Sequence, residues 1–288
     1  MATLVIGGTG NIGGLAVAGL LERGEKVTVM TRTADKIASL AGEVSGVVGN
    51  LADPPSLRKA FEGIDNVFLV TAVHPDEARH GQNGVHAAKK AGVKRVVYSS
   101  VALPADSHHI PHFASKITVE NALRESGIAF TVLRPNNFFQ NDFWYKDAMM
   151  QFGLYPQPIG MTGVWRVDSR DVADAAVNAL MESGHEKKIY NLHGPENLTG
   201  RDCAAIWGKH LGSEINYMGD DLDKWSEAAG ANMPPWMVHD FRIMYDYFQK
   251  KGLKPAAGDA AEAEKVLHHK ARSFDAFCAE TAAVWKQK

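Results

Sequence analysis

The chain has 288 residues, 45% of them hydrophobic, and carries 31 basic against 33 acidic residues for a formal net charge of −2. That length permits one large domain, or a dinucleotide-binding domain with a smaller second one, and the balanced charge without a Lys/Arg cluster argues against nucleic acid as a partner. Cys203 and Cys278 lie far apart and outside any C-x-x-C pair, which excludes a disulfide scaffold and fits a reduced, cytoplasmic setting, and no apolar run is long enough for a membrane.

Short β-branched runs alternate with amphipathic stretches, the pattern of an α/β protein with a Rossmann-type doubly wound, mostly parallel sheet. Thr3 to Ile6 reads as the first strand, and a helix follows at Asn11 with Ile12, Leu15, Ala16, Gly19 and Leu20 on one face. Between them lies Gly7-x-x-Gly10-x-x-Gly13, where a tight turn, close backbone approach to a pyrophosphate and helix–strand contact are required together. Gly7, Thr9, Gly10, Asn11, Ile12 and Gly13 are the expected phosphate cradle.

The second strand, Lys26 to Met30, runs into Met30-Thr31-Arg32-Thr33, where an NAD-binding chain usually places an acid. Arg32 suits a ribose 2′-phosphate held bidentately, and Lys36 adds charge one turn later. NADP(H) is therefore expected ahead of NAD(H), although Asp35 keeps the second open. Strands at Gly46 to Val48 and Asn66 to Val70 bring Asn50, Leu51, Thr71 and Ala72 to positions that the adenine and the nicotinamide-side ribose pass. Asp53-Pro54-Pro55 reads as an N-cap with first-turn prolines, and Gly92 and Gly127 as helix stops before strands at Arg95 to Tyr98 and Ala129 to Leu133.

After Arg134-Pro135 the regularity changes to an aromatic-rich stretch, then resumes with a helix at Asp168 to Met181 and a strand at Lys188 to Leu192. Residues 1–135, completed by 166–193, are read as the dinucleotide-binding core. Residues 136–165 and 194–288 are read as a smaller, mainly helical substrate region capping the carboxyl edge of the sheet. Pro255 to Ala263, rich in Ala and Gly, is expected to be a mobile surface segment. His108-His109 and His268-His269 lack carboxylate or Cys partners at ligand spacing, so no metal is expected, and no flavin.

Further along, Val96-Val97-Tyr98-Ser99-Ser100, Phe113-Ala114-Ser115-Lys116, Thr131-Val132-Leu133-Arg134-Pro135, Val167-Asp168-Ser169-Arg170-Asp171-Val172-Ala173 and Tyr190-Asn191-Leu192-His193-Gly194-Pro195 resemble the NmrA-like branch of the atypical short-chain dehydrogenase/reductases. The resemblance implies a Rossmann sheet, a small carboxy-terminal substrate region and a cleft between them. It also implies one of two functions. Some members are NADPH-dependent reductases of quinones or of triphenylmethane or azo dyes; others are non-enzymatic NADP-binding redox sensors that bind a partner protein.

The wider superfamily reduces carbonyls with Ser, Tyr and Lys, the last two as Tyr-x-x-x-Lys. Here Lys116 matches the lysine, Ser99 or Ser100 the serine, and His112 stands where the tyrosine would be, one turn before Lys116 on the same helix face. A ketone needs a strong acid for its alkoxide, whereas a quinone, azo bond or cationic dye spreads or cancels the added charge. A site without tyrosine suits such acceptors, with Lys116 holding the nicotinamide ribose and His112 assisting protonation. Pro135 and Asn136 are assigned to the cofactor. Asn137, Phe138, Phe139, Trp144 and Trp165 are assigned to a flat aromatic substrate, with inter-domain core as the alternative for the aromatic residues. A homodimer is compatible with the sequence, and a sugar-nucleotide epimerase is disfavoured by the missing tyrosine.

Overall fold

The computed structural model describes residues 1–38 and 44–287. In chain order its elements begin β1 (Ala2–Ile6), α1 (Asn11–Glu22), β2 (Lys26–Thr31), α2 (Asp35–Ala38), β3 (Ser45–Val48), α3 (Pro54–Ala60), β4 (Asn66–Val70), α4 (Glu77–Ala91), β5 (Arg95–Ser99), α5 (Pro111–Ser126) and β6 (Ala129–Pro135). They continue with α6 (Lys146–Phe152), β7 (Leu154–Tyr155), α7 (Ser169–Met181), β8 (Lys188–Leu192), α8 (Gly200–Leu211), β9 (Asn216–Tyr217), α9 (Leu222–Gly230), α10 (Pro235–Lys251), α11 (Asp259–Leu267) and α12 (Phe274–Trp285).

Among the described residues a seven-stranded sheet has the order β3-β2-β1-β4-β5-β6-β8, with every pairing parallel. Strands covered on both faces must be apolar throughout, and β1 and β4 meet that demand with Leu4, Val5 and Ile6 beside Val67, Phe68 and Leu69, all buried. Helices α1 and α7 cover one face, α3, α4 and α5 the other. The order reverses between β1 and β4, which makes their carboxyl ends the crevice where an α/β sheet takes ligands.

Gly92 and Gly127 close α4 and α5 in the left-handed region, φ 72° and 80°, as the stop positions require. Asp53 stands at the N-cap of α3 without a side-chain capping bond; the Ser56 hydroxyl donates to its carbonyl instead, at 2.7 Å. The segment from Pro255 to Ala263 departs from expectation. Its second half is the first part of α11, which packs on β8 and α7 and buries Ala263. That helix therefore lies against the sheet's own helical layer, within a stretch of chain expected to form the cap.

A third apolar cluster packs the segment after β6 against α5, α8, α10 and α12, and includes Phe139, Trp207, Phe248, Phe274 and Cys278. Inside it Arg166 is fully buried and forms a bidentate pair with buried Asp142, at 2.7 and 3.1 Å. Arg166 also donates to the Phe138 carbonyl and the Asn137 side chain, and the Trp207 indole donates to Asp142. The turn that leaves β6 is thereby fixed by α8 and by the residue that leads back to the sheet. Cys203 and Cys278 are buried free thiols.

Candidate active site

Gly7 has φ +82°, and a Cβ on Gly13 would lie 2.2 Å from the Gly7 carbonyl oxygen, so backbone meets backbone where the turn enters α1. Gly10 is the N-cap of α1 and no side chain caps the helix, which leaves first-turn N–H groups available to an anion. Thr9 and Asn11 are exposed beside it, Asn11 tied to Ser169 by a 3.1 Å hydrogen bond. Arg32 and Lys36 are exposed beyond the end of β2. Asn50 and Leu51 follow β3, and Thr71 and Ala72 follow β4. The carboxyl ends of β1 to β4 and the segments that follow them thus carry the residues assigned from sequence to the pyrophosphate and adenosine, whereas Lys116, assigned to the nicotinamide ribose, comes from α5.

Beside this row lies a cavity of about 290 Å³. Its floor comes from Ile12, Thr71, Ser99, Ser100, Pro135 and Asn136, and α5 contributes His112, Phe113 and Lys116. Asn137, Phe138 and Trp144 form one side, and Phe241, Met244, Tyr245 and Phe248 of α10 the other. The lining is mainly apolar with few polar groups, the usual composition of a small-molecule site. Trp144 and Phe241 stack across it with ring centroids 6.4 Å apart.

Two aromatic residues expected in the wall are elsewhere. Phe139 is fully buried against Phe274 and Phe277, because the residue after Phe138 turns to the opposite side, into the cap core. Trp165 packs edge-on against His193, with centroids 5.7 Å apart, and lies outside the cavity lining. For Phe139 the core alternative is the observed one, whereas Trp165 is half-buried and belongs to neither the cavity wall nor an apolar core cluster.

Lys116 is buried, and its Nζ lies 2.8 Å from Glu77 Oε1. It donates to the Thr71 hydroxyl at 3.0 Å and to the Ser99 carbonyl at 3.3 Å, and it sits 5.4 Å from the centre of the Tyr98 ring. Burial works against the ammonium, yet Tyr98 and Glu77 beside it outweigh that and hold its pKa above the ordinary lysine value. Burial pushes the Tyr98 phenol up to about 12, against the opposing pull of Lys116. Ser100 donates to Glu120 at 2.7 Å, and Glu120 also takes Arg124 and Arg134. The Ser99 side chain is buried at the cavity floor.

His112 is 8% exposed and belongs to the wall, not to the solvent-facing start of a helix. Its Nδ1 lies 2.6 Å from Asp240 Oδ1, on α10. The ring is held edge-on against Phe113 and Phe241, with centroids 4.7 and 5.8 Å away.

The NmrA-like family model matches residues 2–278. The chain belongs to this family. An NAD(P)H azoreductase of Xenophilus azovorans is 33% identical over 98% of both chains. A (4-alkanoyl-5-oxo-2,5-dihydrofuran-3-yl)methyl phosphate reductase of Streptomyces griseus is 31% identical over 97% of both. The Citrobacter sp. triphenylmethane reductase solved with NADP(H) superposes with a TM-score of 0.84 at 26% identity, over 97% of this chain and 99% of that one.

Within this NmrA-like fold, sequence reading missed Glu77, Tyr98 and Asp240. Glu77 is a single acid at the start of α4, and Asp240 comes from a helix 128 residues away from His112, so neither forms a local motif with its partner. The histidine pairs also need correction. His269 does have carboxylates near it, with Nε2 3.1 Å from Asp174, and Asp171 completes a group of three. Arg272 bonds to both carboxylates and occupies the place a cation would take. A second group, His74, Asp76 and His80, lies after β4, with Asp76 paired to Arg79 at 3.0 Å. Among the described residues no helix is long and apolar enough to cross a membrane.

Proposed function

We propose that this chain is an NADPH-dependent reductase that passes hydride to a conjugated, electron-poor small molecule of the quinone or azo-dye type. The observation that carries it is the adjacency of the glycine turn and the apolar cavity, which share Ile12, with Thr71 of the β4 end beside it, at the point where the strand order reverses. The cradle fits a dinucleotide: Gly13 lets the turn backbone lie directly on α1, where a Cβ would strike the Gly7 carbonyl, the α1 N-terminus is uncapped, and Arg32 stands exposed where a 2′-phosphate would reach. The three relatives support the acceptor class, since their names specify an azo group, a triphenylmethane and an alkanoyl-oxo-dihydrofuran, each a conjugated system.

When bound, the nicotinamide supplies hydride, two electrons and one hydrogen nucleus. The chain's own groups do the rest. Gly7, Thr9, Gly10, Asn11, Ile12 and Gly13 receive the pyrophosphate, Arg32 and Lys36 the 2′-phosphate, and Asn50, Leu51 and Ala72 border the adenosine. Thr71, Lys116, Pro135 and Asn136 hold the nicotinamide end. Glu77 compensates the Lys116 charge, so the ammonium can be dry and fixed in position. Asn137, Phe138 and Trp144 face α10 across the acceptor, and His112 supplies a proton where the acceptor needs one.

The test follows NADPH absorbance with 1,4-naphthoquinone, methyl red and malachite green as acceptors, beside NADPH binding by fluorescence. Turnover of at least one acceptor is expected, with NADPH preferred to NADH. Tight NADPH binding without any turnover would overturn the reductase reading and favour a redox sensor.

A further inference from the structure

We propose that Asp240 is a positioning residue for proton delivery, so that the cap helix α10 supplies the proton arm of a site whose hydride arm belongs to the sheet. This rests on the reductase reading above and adds a division of labour to it. A carboxylate only accepts hydrogen bonds, so the 2.6 Å contact assigns the His112 Nδ1 hydrogen to Asp240. Proton exchange with an acceptor is then confined to Nε2. Among the described residues Nε2 makes no hydrogen bond, and the ring that carries it lines the cavity.

The pair is built rather than incidental. His112 and Asp240 are 8% and 5% exposed, and among the described residues Asp240 forms no other ion pair. A buried carboxylate is costly unless it is bonded, and this one is committed to a single imidazole. The ring cannot turn freely, because Phe113 and Phe241 pack against it edge-on. Orientation of an imidazole by a buried acid through Nδ1 is what a proton-transferring histidine requires.

The chemistry of the acceptors separates the proton from the hydride. In its first two-electron step an azo compound takes hydride on one nitrogen and a proton on the other, leaving a hydrazo compound; His112 in its doubly protonated form gives that proton from Nε2, is left neutral with its hydrogen on Nδ1, and regains a proton at Nε2 from solvent. A cationic triphenylmethane dye takes hydride alone at its central carbon, and the positive charge is cancelled without any proton. NADPH is the reductant in both.

The experiment compares single-turnover reduction of methyl red and malachite green by wild type, Asp240→Asn and Asp240→Glu, with the 15N spectrum of histidine-labelled protein. With Asp240→Asn the methyl red rate at saturating dye should fall by about tenfold or more with the half-saturating dye concentration unchanged, while the malachite green rate changes less than twofold. Asp240→Glu should restore part of the loss. The wild-type spectrum should show His112 protonated at Nδ1 when neutral, and Asp240→Asn should shift the population towards Nε2–H. Equal losses on both dyes, or no loss on methyl red, would overturn the proposal. Should wild type reduce neither dye or only one, the histidine spectrum decides, and an unchanged tautomer in Asp240→Asn overturns the proposal; the reductase reading itself fails only if 1,4-naphthoquinone is not turned over either.

Discussion

On the reading proposed above, Arg32 is the residue on which cofactor choice turns. It is exposed just beyond the carboxyl end of β2, and a guanidinium there bonds a 2′-phosphate that NADH lacks. A hydrogen bond between charged groups contributes about 1.5–3 kcal/mol, roughly 10- to 100-fold in affinity. Arg32→Ala should therefore raise the KM for NADPH by at least about tenfold and leave that for NADH nearly unchanged, which steady-state kinetics with both cofactors will measure. This residue was legible in the sequence because it stands at a fixed distance from the glycines. Glu77 and Asp240 were not, since each meets its partner only through the tertiary fold. His112 lies between these cases: its position relative to Lys116 was readable, its burial was not.

Among the elements, the turn leaving β6 is the least legible and the most consequential. Alternation along a strand is readable from sequence, but the 3-10 segment from Phe139 to Tyr145 follows no simple period, so Phe139 and Phe138 could not be separated. What orders the segment is Arg166, whose guanidinium gathers Asn137, Phe138 and Asp142 from one side of the turn. Removing one member of a fully buried ion pair leaves an uncompensated charge and costs about 3–5 kcal/mol. Asp142→Asn should lower the denaturant midpoint accordingly and raise acceptor KM, because Asn137 and Phe138 lose their anchor. A melt with unchanged midpoint would show that the network does not carry this load. By contrast, β1, α1 and the β1–α1 turn were readable almost residue for residue, because their apolar period, glycine spacing and helix start agree with one another.

For the whole molecule, the parallel order of the sheet was implied by the alternation of strands and helices, whereas the path of the last hundred residues was not. Helices in that region share similar amphipathic patterns, and nothing local told α11, which packs on the sheet layer, from α10, which walls the cavity. Global stability also has a readable alkaline limit. Tyr98 titrates near 12 in the fold because it is buried, against about 10 when unfolded, and Lys116 is likewise shifted upward. Both groups keep protons in the folded state that the unfolded chain releases. Their stabilising contribution is thus complete below about pH 10 and declines as pH rises towards 12, by on the order of 3 kcal/mol for Tyr98. Melting temperature measured from pH 8 to 12 should fall over that interval, and Tyr98→Phe should make the decline shallower.

The position of β1 has a consequence for biosynthesis. It is translated before every other strand of the seven-stranded sheet, yet it is an interior strand, and Thr3 to Ile6 pair with Asn66 to Leu69 of β4. The helix that follows it packs on α7, where Gly19 lets Val177 approach within 3.1 Å of the space a Cβ would take. A nascent chain that has released the whole glycine turn therefore still lacks both neighbours of the strand that supports it, β2 and β4, and the helix that braces α1. Dinucleotide affinity should appear only after β4 and then α7 have left the ribosome, so the ligand selects for chains to which both have been added.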